Sequence, residues 1–128
     1  MGTTREGWRL LIVDDDVSLT AMLALHLLDS GYEVTRADCY ARARHLFEPG
    51  AFDVALLDYR LPDGSGLELA LELRGADPRI RLILMSGSTE NGLAHRVARS
   101  GIQSFLGKPF PTSELDAALG DRWPTPRL

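Results

Sequence analysis

Cysteine is nearly absent: the chain carries one, Cys39, in 128 residues, so no internal disulfide can form and the fold must rest on its core. That usage fits a reducing compartment, and the expected location is the cytoplasm. Long apolar runs are missing as well. The most apolar stretch, Ala21 to Leu28, is interrupted by His26 and is too short to cross a bilayer; no signal-peptide pattern is visible, so no membrane contact is expected. Nor is there a basic stripe. With a formal charge of −4, direct nucleic-acid binding is not expected either. What remains is 45% hydrophobic and 25% charged, which excludes a disordered chain. Such a length suits one domain that buries about two thirds of its unfolded surface.

Lysine is the scarcest charge. The chain has 14 Lys+Arg, of which one is lysine and 13 are arginine, and the lysine is Lys108 in Gly107-Lys108-Pro109-Phe110. A flexible point-charge ammonium suits a single contact to a phosphoryl or carboxylate oxygen better than a flat guanidinium does. Three more polar groups end apolar runs: Asp14-Asp15 after Leu10 to Val13, Asp58 after Val54 to Leu57, and Ser86 after Ile83 to Met85.

Apolar runs alternate with helical periodicity, which predicts a βα repeat and a parallel sheet. Strands are expected at about 8–14, 32–37, 52–58, 80–86 and 103–107, and helices near 17–30, 39–47, 65–75, 89–100 and 112–120. The second strand alternates and reads as an edge. The first and third are continuously apolar, as strands covered on both faces should be. Gly31 and Gly101 read as helix stops. Ser65-Gly66-Leu67-Glu68 has capping-box spacing, and Pro62-Asp63-Gly64 reads as a turn. Asp16 reads as a helix cap and Cys39 as an inert thiol near a helix start. Residues 120–128 lack periodicity and should form a tail from which Trp123 docks on the domain.

Five such units fit a doubly wound five-stranded parallel sheet, order 2-1-3-4-5, a flavodoxin-like (βα)5 fold. In that order the C-terminal ends of strands 1 and 3 flank a crevice, and Asp14, Asp15 and Asp58 lie at those ends. Clustered carboxylates repel one another, so such a group calls for a divalent cation. Oxygen-only ligands at an open site favour Mg²⁺. A nucleophilic carboxylate, a cation, a hydroxyl and an ammonium are the parts that phosphoryl transfer needs. Asp58 would then accept the phosphoryl group as an acyl phosphate, with Lys108 and Ser86 binding its oxygens.

Four pieces in order now carry a resemblance: Leu11-Ile12-Val13-Asp14-Asp15-Asp16, Leu57-Asp58-Tyr59-Arg60-Leu61-Pro62 with Gly66, Leu84-Met85-Ser86-Gly87, and Phe105-Leu106-Gly107-Lys108-Pro109-Phe110. Over about residues 8–119 the chain resembles the receiver (response-regulator) domains of two-component signal transduction, of the chemotaxis-regulator kind. Residues 1–7 and 120–128 flank that unit. The resemblance implies a phosphorylation-dependent signalling switch. Asp58 would take a phosphoryl group from the phosphohistidine of a sensor histidine kinase or phosphotransfer protein. Such a domain is no enzyme in the usual sense, although it assists its own phosphotransfer and dephosphorylation. It further implies Asp15, Asp58 and the backbone carbonyl of Arg60 as Mg²⁺ ligands, with Asp14 sharing the metal or binding through water. Ser86 becomes the switch hydroxyl, Phe105 the switch aromatic and Lys108 the phosphoryl contact. A cis peptide is implied at Lys108–Pro109. Arg60 and Ser88 would overhang the phosphoryl group and tune its hydrolysis, and a downstream protein target would read the face of the fourth helix, fifth strand and fifth helix.

Departures from the pattern have consequences. Phe105 has no phenol hydroxyl where many relatives have tyrosine, and Gly87 is smaller than the usual residue, which widens access to Asp58. Gly101-Ile102-Gln103-Ser104 lacks the paired acids of the winged-helix regulators, which argues against their dimer and leaves at most a weak homodimer. In the first helix Leu19, Met22, Leu23 and Leu27 form one apolar stripe, while Ala21, Ala24, Leu25 and Leu28 form a second. That excess marks either a broadly buried helix or a kinase or self-association contact. His26 reads as a half-buried packing residue. Two alternatives stand beside the main reading. One is an aspartate-nucleophile phosphatase of the haloacid-dehalogenase type, with Asp14 as nucleophile. The other is the receiver fragment of a longer regulator or hybrid kinase.

Overall fold

Leu10 to Val13 and Val54 to Leu57 are completely buried because each run lies between two other strands and under helices on both faces. The computed structural model describes residues 7–87, 90–102 and 104–120. Its elements in order are β1 (Arg9–Val13), α1 (Val17–Asp29), β2 (Glu33–Ala37), α2 (Tyr40–Leu46), β3 (Val54–Asp58), β4 (Arg60–Leu61), β5 (Gly64–Ser65), α3 (Gly66–Ala76), β6 (Arg81–Ser86), α4 (Leu93–Arg99), β7 (Ser104–Gly107) and α5 (Thr112–Leu119). The main sheet is parallel with order β2-β1-β3-β6-β7, which is the expected doubly wound order. β2 is the half-exposed edge strand that its alternation predicts.

Strand periodicity divides the core in two. Leu11, Val13, Ala55, Leu57, Leu82 and Leu84 point to one face, where Ala43 of α2, Leu69, Ala70 and Leu73 of α3, and Leu93 and Val97 of α4 cover them. Leu10, Ile12, Val54, Leu56, Ile83 and Met85 point to the other, under Leu23, Ala24 and Leu27 of α1 and Leu115 and Leu119 of α5. Each fully buried leucine or isoleucine contributes about 1.5–3 kcal/mol of transfer free energy. The sheet is thereby a rigid platform with every C-terminal strand end on one edge.

Capping follows the sequence closely. The Asp16 side chain accepts from the Leu19 amide at 3.0 Å, and the Ser65 hydroxyl accepts from Leu67 and Glu68 amides at 3.1 and 3.5 Å. Cys39 caps α2 through its sulfur, which accepts from the Arg42 amide at 3.4 Å. The rest of that cap comes from a distance. Asp63 accepts from the Tyr40 amide at 2.7 Å and from the Ala41 amide at 3.0 Å. Asp63 sits between β4 and β5, a two-stranded antiparallel pair whose sequence signal indicated only a turn.

Three expectations need correcting. The fourth helix begins at Leu93, later than 89, because Gly92 takes a left-handed φ of 79° and the Leu93 amide turns back to the Glu90 carbonyl. In α1 two positions trade places between the stripes: Ala24 is buried at 7% exposure, whereas Met22 is 48% exposed. Leu25 and Leu28 face solvent at 71% and 53%, so the helix is not buried all round. His26 is half-buried but not simply a packing residue, since its Nε2 lies 2.7 Å from Asp116 Oδ1 on α5. Trp123 lies outside the described residues. Among the described residues no helix is long and apolar enough to cross a membrane.

The Asp63 carboxyl is held below the usual carboxylate range, first by the Ala41 amide and then by the Tyr40 amide. A carboxyl depressed in the folded chain stabilises the fold above its unfolded value, about 3.9, and that contribution is lost as pH falls through the folded value. Asp63→Ala is therefore expected to lower Tm at neutral pH. Circular-dichroism melts should show the gap to the unchanged protein closing as pH falls below about 3.9.

Candidate functional site

Parallel register places the functional side chains at one edge. Val13 of β1 pairs with Leu57 of β3, so the next residues, Asp14 and Asp58, leave the sheet side by side. Asp58 is in register with Met85, and Ser86 with Gly107, while the Lys108 amide donates to the Ser86 carbonyl at 2.8 Å and prolongs that ladder. Lys108 thereby turns back over the ends of β1 and β3. Its Nζ donates to Asp14 Oδ2 at 2.6 Å and lies 3.2 Å from Asp58 Oδ1. The peptide that follows, Lys108–Pro109, is cis, as the resemblance implied.

Asp14 and Asp58 are buried and Asp15 is exposed, and one carboxylate oxygen from each of the three lies within 4.8 Å of the others. Asp14 is already well used: its second oxygen accepts from the Asp16 amide at 2.9 Å. Asp58 is pushed up from the ordinary carboxylate range, first by burial and then by the Asp14 charge, with Lys108 opposing. Burial alone would lower Lys108, but its hydrogen bond to Asp14 and the charges of Asp14 and Asp58 raise it, so the ammonium stays charged at neutral pH. Three carboxylates against one ammonium leave two negative charges unbalanced. All-oxygen donors with that residual charge fit a hard divalent cation.

The end of β3 is pressed from behind by α3. The Gly66 amide donates to the Tyr59 carbonyl at 2.7 Å, and a Cβ at Gly66 would collide with the Asp58 carbonyl. Ser86 is buried at the end of β6. Phe105 of β7 is partly buried against the core under α4. Gly87 is exposed, and a Cβ there would meet Lys108 Cβ at 3.9 Å, an ordinary contact. Arg60 is exposed on β4 and its guanidinium pairs with Glu90, 3.8 Å away. Ser88 lies outside the described residues.

Sequence reading missed a second polar group, which starts at Tyr59, the residue after Asp58. Glu90 accepts from Arg96 Nη2 at 2.8 Å and from the Tyr59 hydroxyl at 3.3 Å, and Arg96 also donates to the Tyr59 oxygen at 3.1 Å. These residues are 31 and 37 positions apart for the Tyr59 contacts, and no local spacing announces them.

Comparison with known proteins agrees with this geometry. The family model of the response regulator receiver domain matches residues 10–120. The chain belongs to the response regulator receiver family. Among curated proteins, this receiver domain is 34% identical over 108 residues to the regulatory protein AtoC of Escherichia coli (strain K12), an alignment covering 84% of this chain and 23% of that protein. It is 33% identical over 106 residues to the swarming motility regulation protein RssB of Serratia marcescens, covering 83% and 48%. The chain thus spans between about a quarter and a half of these two curated relatives. Among solved structures, the non-phosphorylated HemR receiver domain from Leptospira biflexa superposes with a TM-score of 0.85 at 29% identity, over 94% of this chain and 99% of that one. The BeF3-activated receiver domain of DrrB, from Thermotoga maritima, gives 0.79 at 26% identity, over 88% and 93%.

Gly66→Ala should push the start of α3 off the Asp58 carbonyl. The expected cost is about 1–3 kcal/mol or more, the usual range for overpacking. Urea unfolding would measure it, with an unchanged midpoint contradicting the close approach.

Proposed function

We propose that this receiver domain is a switch phosphorylated on Asp58 with Mg²⁺, in the cytoplasm, by a sensor histidine kinase or phosphotransfer protein. The observation that carries the reading is the contact of Lys108 with both Asp14 and Asp58 at the ends of two adjacent strands. On this reading residues 8–119 form the receiver unit, with 1–7 and 120–128 as flanks.

The Asp58 carboxylate oxygen attacks phosphorus, and an oxygen–phosphorus bond forms as the donor's nitrogen–phosphorus bond breaks. The electron pair and a proton end on the departing imidazole nitrogen. Asp15, Asp58 and the Arg60 carbonyl would hold the Mg²⁺, with Asp14 sharing it; bound there, the ion supplies charge neutralisation at the phosphoryl oxygens. Lys108 gives its ammonium to one oxygen and Ser86 its hydroxyl to another. Each such charge-assisted hydrogen bond is worth about 1.5–3 kcal/mol at most. Gly87, lacking a side chain beside Lys108, keeps the approach open.

Ser86 ends β6 and Phe105 lies in the neighbouring strand β7, so a Ser86 hydroxyl drawn toward the phosphoryl group leaves room for the phenyl ring to turn inward. The face of α4, β7 and α5 then changes and presents itself to a downstream protein target. A complete shift from 1:99 to 99:1 needs about 5.5 kcal/mol, so these contacts give a graded change of population. The phosphatase alternative, with Asp14 as nucleophile, fits less well. Each Asp14 oxygen already accepts a hydrogen bond, from Lys108 at 2.6 Å or the Asp16 amide at 2.9 Å. Those bonds weaken it as a nucleophile while leaving lone pairs for a metal.

Incubation with acetyl phosphate and Mg²⁺ is expected to add one phosphoryl group, lost in Asp58→Asn and on chelation of the metal. Label that survives in Asp58→Asn contradicts the assignment. The Arg60 side chain is expected to shield the acyl phosphate from water, so Arg60→Ala should shorten its half-life. An unchanged decay rate would remove Arg60 from this role.

A further inference from the structure

Three side chains approach the Glu90 carboxylate at distances that rank them. Arg96 Nη2 lies 2.8 Å from Oε1, the Tyr59 hydroxyl lies 3.3 Å from Oε2, and Arg60 Nη2 lies 3.8 Å from Oε2. The first two are hydrogen bonds; the third is at the outer reach of an ion pair, from a side chain 72% exposed. Arg96 and Tyr59 therefore hold the carboxylate more closely than Arg60 does. The Arg60 guanidinium also sits 5.7 Å from the centre of the Tyr59 ring, within cation–π range. That ring belongs to the residue between Asp58 and Arg60 in the chain, so the guanidinium rests over the immediate neighbour of Asp58.

We propose that Glu90 is a positioning residue for Arg60, holding its guanidinium to the side of Asp58 in the unmodified chain and competing for it once Asp58 is phosphorylated. The inference rests on the reading of Asp58 as phosphoacceptor. An aspartyl phosphate carries about −1.5 to −2 charges and three acceptor oxygens, which a planar guanidinium fork can engage at two points. Against that, one carboxylate already shared with Arg96 and Tyr59 is the weaker competitor. Glu90 loses little by the exchange, since its two shorter contacts stay. The fraction of time that Arg60 covers the phosphoryl group, and hence its lifetime, is then set by Glu90.

The test uses the full chain labelled through acetyl phosphate and Mg²⁺, with label decay followed after the donor is removed. Glu90→Gln keeps one oxygen acceptor, for Arg96, places an NH2 that can donate to the Tyr59 oxygen, and removes the charge that draws Arg60. It is expected to lengthen the half-life about two- to fivefold, the weight of an exposed ion pair. In the Arg60→Ala background the same substitution should change nothing, and the Arg60 Nε–H resonance should move in unphosphorylated Glu90→Gln. Equal effects in both backgrounds, or no effect in the unchanged background, overturn the role of Glu90 while leaving the phosphoacceptor reading intact. Failure of the unchanged chain to take label, or labelling of Asp58→Asn, overturns both.

Discussion

Electrostatic repulsion among Asp14, Asp15 and Asp58 is the constraint around which the edge of this sheet is organised. Nothing in the packing of a βα repeat requires three carboxylates within 4.8 Å, and their mutual charge, with the burial of Asp14 and Asp58, works against folding. The chain offsets part of that cost with one ammonium. Lys108 is delivered by continuing the ladder of β7 one residue past its end, so the remedy comes from the same backbone register that creates the problem. The remaining negative charge makes the site receptive to a cation and, through it, to phosphoryl oxygens.

Much of this was readable from sequence because it depends on backbone alone. Runs of apolar residues ending in Asp14, Asp58 and Ser86 fix strand ends, and strand order places those ends together without any knowledge of rotamers. Asp16 and Ser65 were legible for a similar reason, since capping joins a side chain to amides two or three residues on, whereas the sulfur cap of Cys39 was not foreseen. Side-chain meetings across the fold were not legible. The contact of His26 with Asp116 spans 90 residues, and the Tyr59, Glu90 and Arg96 group joins two connecting segments to α4 in a way that no periodicity encodes. In α1 the failure was subtler. Two apolar stripes are adjacent on one helix, and hydrophobicity alone does not say that small Ala24 faces the sheet while Met22 faces out.

Family membership and local geometry carry different parts of the conclusion. The match across residues 10–120 establishes what kind of domain this is. The relatives are longer than the chain compared, so their outputs belong to them. Which residues carry the chemistry here, and how, has to be argued from the contacts that this chain makes, including a phenyl ring at Phe105 and a tyrosine at position 59 that bonds to α4.

The Asp63 cap has a mechanical consequence. The segment leaving Asp58 is clamped at two points: Asp63 is tied to the start of α2, and Gly66 is wedged beneath the Asp58 carbonyl. Across the crevice, α4 is seven residues long and begins at a glycine without any side-chain cap. One bank of the site is anchored at both ends of its loop, and the other starts without a side-chain cap. On the proposed reading, a change at Asp58 would meet more backbone ties on the β4–β5 side than at the uncapped start of α4.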